Sequence, residues 1–193
     1  MLGQILFLLI NFVFGAFTLL LLARFFMQWQ RVPFHNQLGL FVLKTTDWIV
    51  RPLRRVVPGL WGLDLASLLP AWLAQVALVA IELALRGVSF GGGVGVVLGL
   101  AGMGLIELAR MTVYLVFALV LVSAVLSWVA PHAPAAPIVR RLADPFLRPF
   151  RRIIPPIAGV DLSPLVLLLL LQILLVVLAG LGGSFMPLIV RGF

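Results

Sequence analysis

From Leu2 to Ala23 the chain runs 22 residues without a charged side chain. Nothing else in the sequence narrows the choice of folds as much. A helix needs about 20 apolar residues to cross the hydrocarbon of a bilayer. Two more uncharged runs meet that length, Met111 to Ala130 and Leu162 to Val190. A fourth, Leu65 to Ile81, is slightly short and reaches spanning length if Glu82 to Leu85 form its interfacial end. Hydrocarbon offers no partner to backbone N–H and C=O groups, so each run has to satisfy its own as a helix. Composition agrees, with 63% hydrophobic and 10% charged residues where a soluble domain carries roughly a quarter charged. The expectation is an all-α membrane protein with four transmembrane helices in a single membrane domain.

A basic phrase occurs twice between these runs. Residues 47–58 read DWIVRPLRRVVP and residues 144–155 read DPFLRPFRRIIP, 97 positions apart. Residues 47–68 and 144–165 align without a gap, and 10 of the 22 positions are identical. The same shift pairs Gln75 with Gln172, and a two-residue gap brings Trp29 onto Trp128. The chain therefore reads as two tandem repeats, about 1–86 and 103–193. The Gly-rich residues 87–104 have no counterpart and read as a linker, with a re-entrant, interfacial or fifth spanning segment as alternatives.

Each repeat has the order span, basic segment, span. An even number of spans gives both copies the same orientation, as in parallel repeats related by an axis along the membrane normal. Basic residues crowd the two loops after the first and third spans, and only Arg86, Arg110 and Arg191 lie near the opposite side. The positive-inside rule then places both basic loops in the cytoplasm and both termini outside, in a multi-pass membrane protein.

If the phrases are helical, a 100° step puts Arg51, Arg54 and Arg55 on one side and Ile49, Val50, Leu53, Val56 and Val57 on the other. Arg148, Arg151 and Arg152 separate from Phe146, Leu147, Phe150, Ile153 and Ile154 in the same way. That is the pattern of an amphipathic helix in the headgroup layer, with its arginines toward anionic lipid or an acidic partner. Asp47 and Asp144 read as N-caps of these helices, and Asp64 and Asp161 as N-caps of the spans that follow. Pro52 and Pro149 should bend the basic helices, and Pro58 and Pro155 should end them.

Gln75 and Gln172 fall about 16 Å inside their spans, where an amide needs a partner, and each is expected to approach the other or an equivalent intramembrane polar group. Glu82 and Arg86, and Glu107 and Arg110, have the spacing of self-neutralising helical pairs. Arg24 ends the first span and can snorkel. His35 and His132 are loop histidines, or a paired haem or metal contact.

Several classes are excluded or disfavoured. The net charge of +8 would suit nucleic acid in a soluble chain, but here the basic residues flank spans, so no nucleic-acid partner is expected. Absence of cysteine removes disulfides and thiolate chemistry. No catalytic set, metal cluster or phosphate loop is evident, and Gly91-Gly92-Gly93 lacks the context of a nucleotide loop. No enzyme activity, cofactor or metal is expected.

The paired phrase, each copy followed by G-[apolar]-D-L-[SA], resembles the YggT family. The resemblance covers nearly the whole chain, with Trp48 in place of an expected proline and Ala66-Ser67 in place of Ser-Pro. It implies a bacterial inner-membrane protein associated with osmotic stress and potassium balance, or with cell division. A plastid relative takes part in haem attachment to cytochrome b6. No catalytic residue is implied. Three functions follow as expectations. The first is a non-enzymatic scaffold or assembly factor that binds anionic lipid, a membrane-protein partner or a second copy through the basic helices. The second is a channel or transport accessory for ion homeostasis, and the third is haem or cofactor handling.

Overall fold

A computed structural model describes residues 2–57, 64–91, 93–154 and 161–191 of the chain. They form seven helices: α1 Leu2–Trp29, α2 Gln37–Leu53, α3 Leu65–Leu85, α4 Val94–Val129, α5 Ala136–Ile153, α6 Ser163–Gly183 and α7 Met186–Arg191. No strand occurs among the described residues. Four helical segments are long and apolar enough to cross a membrane: Gly3–Trp29, Leu65–Leu85, Val94–Val129 and Ser163–Val190.

α4 is the hub. It packs against α3, α5, α6 and α7, while α1 packs most extensively on α3. One apolar cluster joins Phe26 and Met27 of α1 to Val116 and Val120 of α4, Leu142 and Leu147 of α5 and Leu167 of α6. A second joins Leu21 and Leu22 to Val50 of α2 and Ala66 and Ala71 of α3. The Phe26 and Phe146 rings meet edge to face at 5.8 Å, so both basic segments lie at the same end of the bundle. Large side chains elsewhere stay uncovered, such as Phe12 and Val176 at 74% and 73% exposure. Acyl chains are as apolar as these side chains, so a bundle in lipid has no need to bury them.

The helix ends follow local chemistry. Asn36 caps α2 by accepting the Gly39 N–H at 2.8 Å. α3 closes in a Schellman turn: Val88 N–H donates to Leu83 O and Gly87 N–H to Ala84 O, both at 3.0 Å. Gly87 supplies the required left-handed residue at φ 73°.

Two expectations need correction here. Residues 94–104 are neither linker nor separate span but the first three turns of α4. Their glycines serve close packing rather than flexibility. A Cβ on Gly104 would meet the Val76 backbone N at 3.0 Å, and one on Gly99 would run into Ile189 of α7. The basic helices are also longer than the phrases. α2 and α5 begin about ten and eight residues ahead of Asp47 and Asp144, because buried positions continue upstream at helical spacing, such as Val42 and Thr46, and Val139 and Leu142. Pro52, Pro145 and Pro149 lie inside these helices. Pro58 and Pro155 fall outside the described residues.

Candidate functional site

Asp47 and Asp144, being interior, are not N-caps, and their carboxylates are free to meet side chains. Asp47 takes the Arg24 guanidinium, with Nη1 at 2.7 Å from Oδ1. The same Nη1 donates to Thr46 Oγ1 at 2.8 Å. Arg24 therefore turns inward, with its side chain 3% exposed, instead of snorkelling. Arg51 approaches Asp47 from the outside at 3.6 Å. Asp144 lacks a span arginine and takes Arg148 Nε at 2.8 Å and Arg151 Nη1 at 2.9 Å.

The second aspartate of each copy does the same work twice. Arg54 grips Asp64 with Nη2 at 2.6 Å and Nε at 3.3 Å, and Arg151 Nε meets Asp161 at 2.8 Å. Each bond spans ten residues and fastens the end of a basic helix to the start of the next span. Asp64 stands at the cap position of α3, but its side chain accepts no backbone N–H of that helix. Its other partner is the Ser67 hydroxyl, at 2.7 Å. Asp161 does accept a helix-start N–H, that of Ser163 at 2.9 Å, from one residue ahead of the cap position held by Leu162. Burial works against the charged form of Asp161. Ser163 and Arg151 outweigh it and hold the carboxyl below its ordinary value of 3.8.

Of the six phrase arginines, Arg51, Arg54, Arg148 and Arg151 thus engage aspartates. Arg55 and Arg152 are exposed and make no ion pair among the described residues.

The glutamines do not pair. Gln75 is fully buried and donates through Nε2 to Thr18 Oγ1 of α1 at 2.8 Å. Gln172 is exposed on α6, in a shallow groove with Tyr114 and Phe117. The repeat pattern alone implied a symmetric pair, but α4 stands between α3 and α6 and gives the two amides different neighbours. Gln75 Oε1 has no hydrogen-bond partner among the described residues and faces a cavity of about 390 Å³ also lined by Asn11, Glu82, Glu107, Arg110 and Tyr114. There the expected charge pairs form, Arg110 to Glu107 at 2.6 Å and Arg86 to Glu82 at 3.9 Å. His35 and His132 are exposed in the α1–α2 and α4–α5 connections. No group of His, Asp and Glu able to hold a metal occurs among the described residues.

A second cavity, about 580 Å³, opens between α4, α5 and α6 at the basic end, where Ser123, Arg140, Arg151 and Asp161 meet Leu121, Val125, Trp128, Leu165 and Leu168. A cleft of about 300 Å³ adjoins it and shares Ser123, Arg140 and Arg151. Sequence reading counted Arg140 and Arg141 only toward the charge of the basic loop and passed over Ser123, whose signal was available, since Ser123 and Arg24 stand at equal distances before Trp128 and Trp29.

Four long apolar helices, with two basic helices tethered at one end, define a multi-pass helical membrane protein. A sequence profile of the family described as CCB3/YggT matches residues 3–85 and again residues 102–182, once for each copy. The chain belongs to this family. It is 36% identical over 167 residues to the uncharacterized protein YggT of Escherichia coli K12, covering 86% of this chain and 85% of that one. It is likewise 36% identical over 162 residues to the uncharacterized protein PA0392 of Pseudomonas aeruginosa PAO1, covering 83% and 81%. A Vibrio alginolyticus protein encoded in the proC 3′ region is 33% identical over 165 residues, covering 85% and 88%. No solved structure matches the chain.

Proposed function

We propose that the chain is a non-enzymatic scaffold that gathers anionic lipid, and through it partner proteins, at two basic platforms on one face of the bacterial inner membrane. The observation that carries this reading is the repeated Arg–Asp tether. One arginine of each phrase fastens its helix to the next span, and a second pairs within the helix. The third, Arg55 or Arg152, stays exposed without an acidic partner among the described residues. A tethered helix presents its remaining cations at a fixed height, and each basic group near an anionic surface contributes about 1 kcal/mol. The excess of basic residues at that end favours the cytoplasmic side, with α2 and α5 in the headgroup layer.

The test is lipid enrichment around the full-length protein in nanodiscs of mixed phosphatidylglycerol and phosphatidylcholine. Phosphatidylglycerol should concentrate around the protein. The preference should weaken with salt, and should fall when Arg55 and Arg152 are both changed to alanine. Absence of preference at low salt would end the reading. Crosslinking from these two positions in native membranes tests the scaffold part, where a recurring protein adduct is expected and lipid adducts alone reduce the role to anchoring.

A second reading, an accessory to ion transport, is favoured by the polar cavity beside Gln75, because ionisable groups at membrane depth tend to mark pathways. Ion flux through reconstituted protein that Gln75→Leu abolishes would support it, and flux indifferent to that change would remove it.

A further inference from the structure

We propose that the second copy of the phrase holds one anionic phospholipid, with its phosphate among Ser123, Arg140 and Arg141 and an acyl chain in the adjoining groove. The proposal rests on the placement of α5 in the headgroup layer given above.

The two copies share a backbone plan but differ in one notch. In the first, the Arg24 side chain fills the space between α1 and α2 and is held by Thr46 and Asp47. In the second, the corresponding residues are Ser123, Ala143 and Asp144. Ser123 is too short to reach across, and Ala143 offers no hydroxyl. The space left is the cleft of about 300 Å³ lined by Ser123, Arg140, Arg141, Asp144 and Arg151.

Charge has moved as well. Arg140 and Arg141 stand where the first copy has Leu43 and Lys44. Both are exposed and without an ion pair among the described residues. Arg151 is already engaged by Asp144 and Asp161, so the uncompensated charge at the cleft is positive and belongs to Arg140 and Arg141. Guanidinium groups pair with phosphate oxygens through short, charge-assisted bonds, and the Ser123 hydroxyl can add a further donor. A soluble anion would use only this end. The groove of about 580 Å³ continues from it along Leu121, Val125, Leu165 and Leu168, within the range of small-molecule sites. Polar at one end and apolar along its length, the space matches a lipid.

Native mass spectrometry of the full-length protein, released from nanodiscs of mixed phosphatidylglycerol and phosphatidylcholine, tests the assignment. One phosphatidylglycerol should remain per chain. Ser123→Arg, which supplies the first copy's plug, should lower its retention by about tenfold or more. Changing Arg140 and Arg141 to glutamine should do the same without adding bulk, and these exposed positions guard against a folding defect in the first variant. Equal retention of the two lipids, unchanged retention in both variants, or displacement of the lipid by inorganic phosphate alone would each overturn the proposal. Changing Arg55 and Arg152 to alanine should leave this lipid bound. In the unsubstituted protein, absence of bulk enrichment with the lipid retained breaks only the scaffold reading, and enrichment without a retained lipid breaks only this one.

Discussion

The two copies of the phrase close their aspartates in opposite ways. In the first, Asp64 and Arg24 are almost wholly enclosed, and Gln75 finds a hydroxyl on α1. In the second, Asp161 is 40% exposed, Gln172 faces outward, and a serine stands where the first copy buries an arginine. The tether to the next span survives in both. Residues that hold the backbone plan are thus repeated, while residues that seal or open the space behind it are not. One copy is a closed structural unit, while the other has room beside its cations.

Substitutions can break that contrast. The largest effect should come from Arg24→Ala, which strands the buried side of Asp47. A cost of about 3 kcal/mol is expected, at the low end for a broken buried pair because Arg51 remains nearby. Ser123→Ala at the equivalent place should change stability by less than about 0.5 kcal/mol. Unfolding in micelles measures both, and equal costs would erase the distinction between the copies. Gly104→Ala comes next, at about 2 kcal/mol, because its Cβ would press on the Val76 backbone. Gly180→Ala, with nothing within 4 Å, should be neutral or stabilising by about 0.5–1 kcal/mol.

Gln75→Leu should cost about 1 kcal/mol by orphaning Thr18, whereas Gln172→Leu should leave the unfolding midpoint in place. The smallest effect is on pH dependence. The folded pKa of Asp161 lies below the ordinary 3.8. Its contribution is therefore complete above that value and is lost as pH falls through the depressed folded pKa. A pH titration of unfolding should show an Asp161→Asn variant matching the parent at the acid end and falling behind it above pH 4 by a small margin, since the group is partly exposed.

The spans, the two copies and the family were legible from residue patterns because hydropathy and a repeated phrase can be read from short stretches of chain. Residues 94–104 misled because glycine reads as linker unless one knows that Val76 and Ile189 press against it. Asp47 and Asp144 misled for a related reason. An aspartate beside the start of a basic run looks like a cap until the helix is seen to begin earlier, at Asn36 in the first copy. Arg24 was visible but assigned to the lipid surface, since its partner lies 23 residues away on another helix. Symmetry between Gln75 and Gln172 was a fair inference from repetition, and α4 removed it by separating their helices.

The length of α4 has a mechanical consequence. Its 36 residues extend about 54 Å at 1.5 Å each, against about 30 Å of hydrocarbon. Even at a steep tilt of about 40° it would rise through roughly 41 Å. Val94, Val97 and Leu98 at its far tip are uncovered; with the other end of α4 at the basic headgroups, they would stand at the height of the opposite ones, where apolar side chains are poorly solvated. Acyl chains drawn up around that tip would relieve the mismatch, and the leaflet would thicken there. The protein would then carry a permanent swell in the surrounding bilayer, and any neighbour with a matching profile would be drawn to it without a single direct contact.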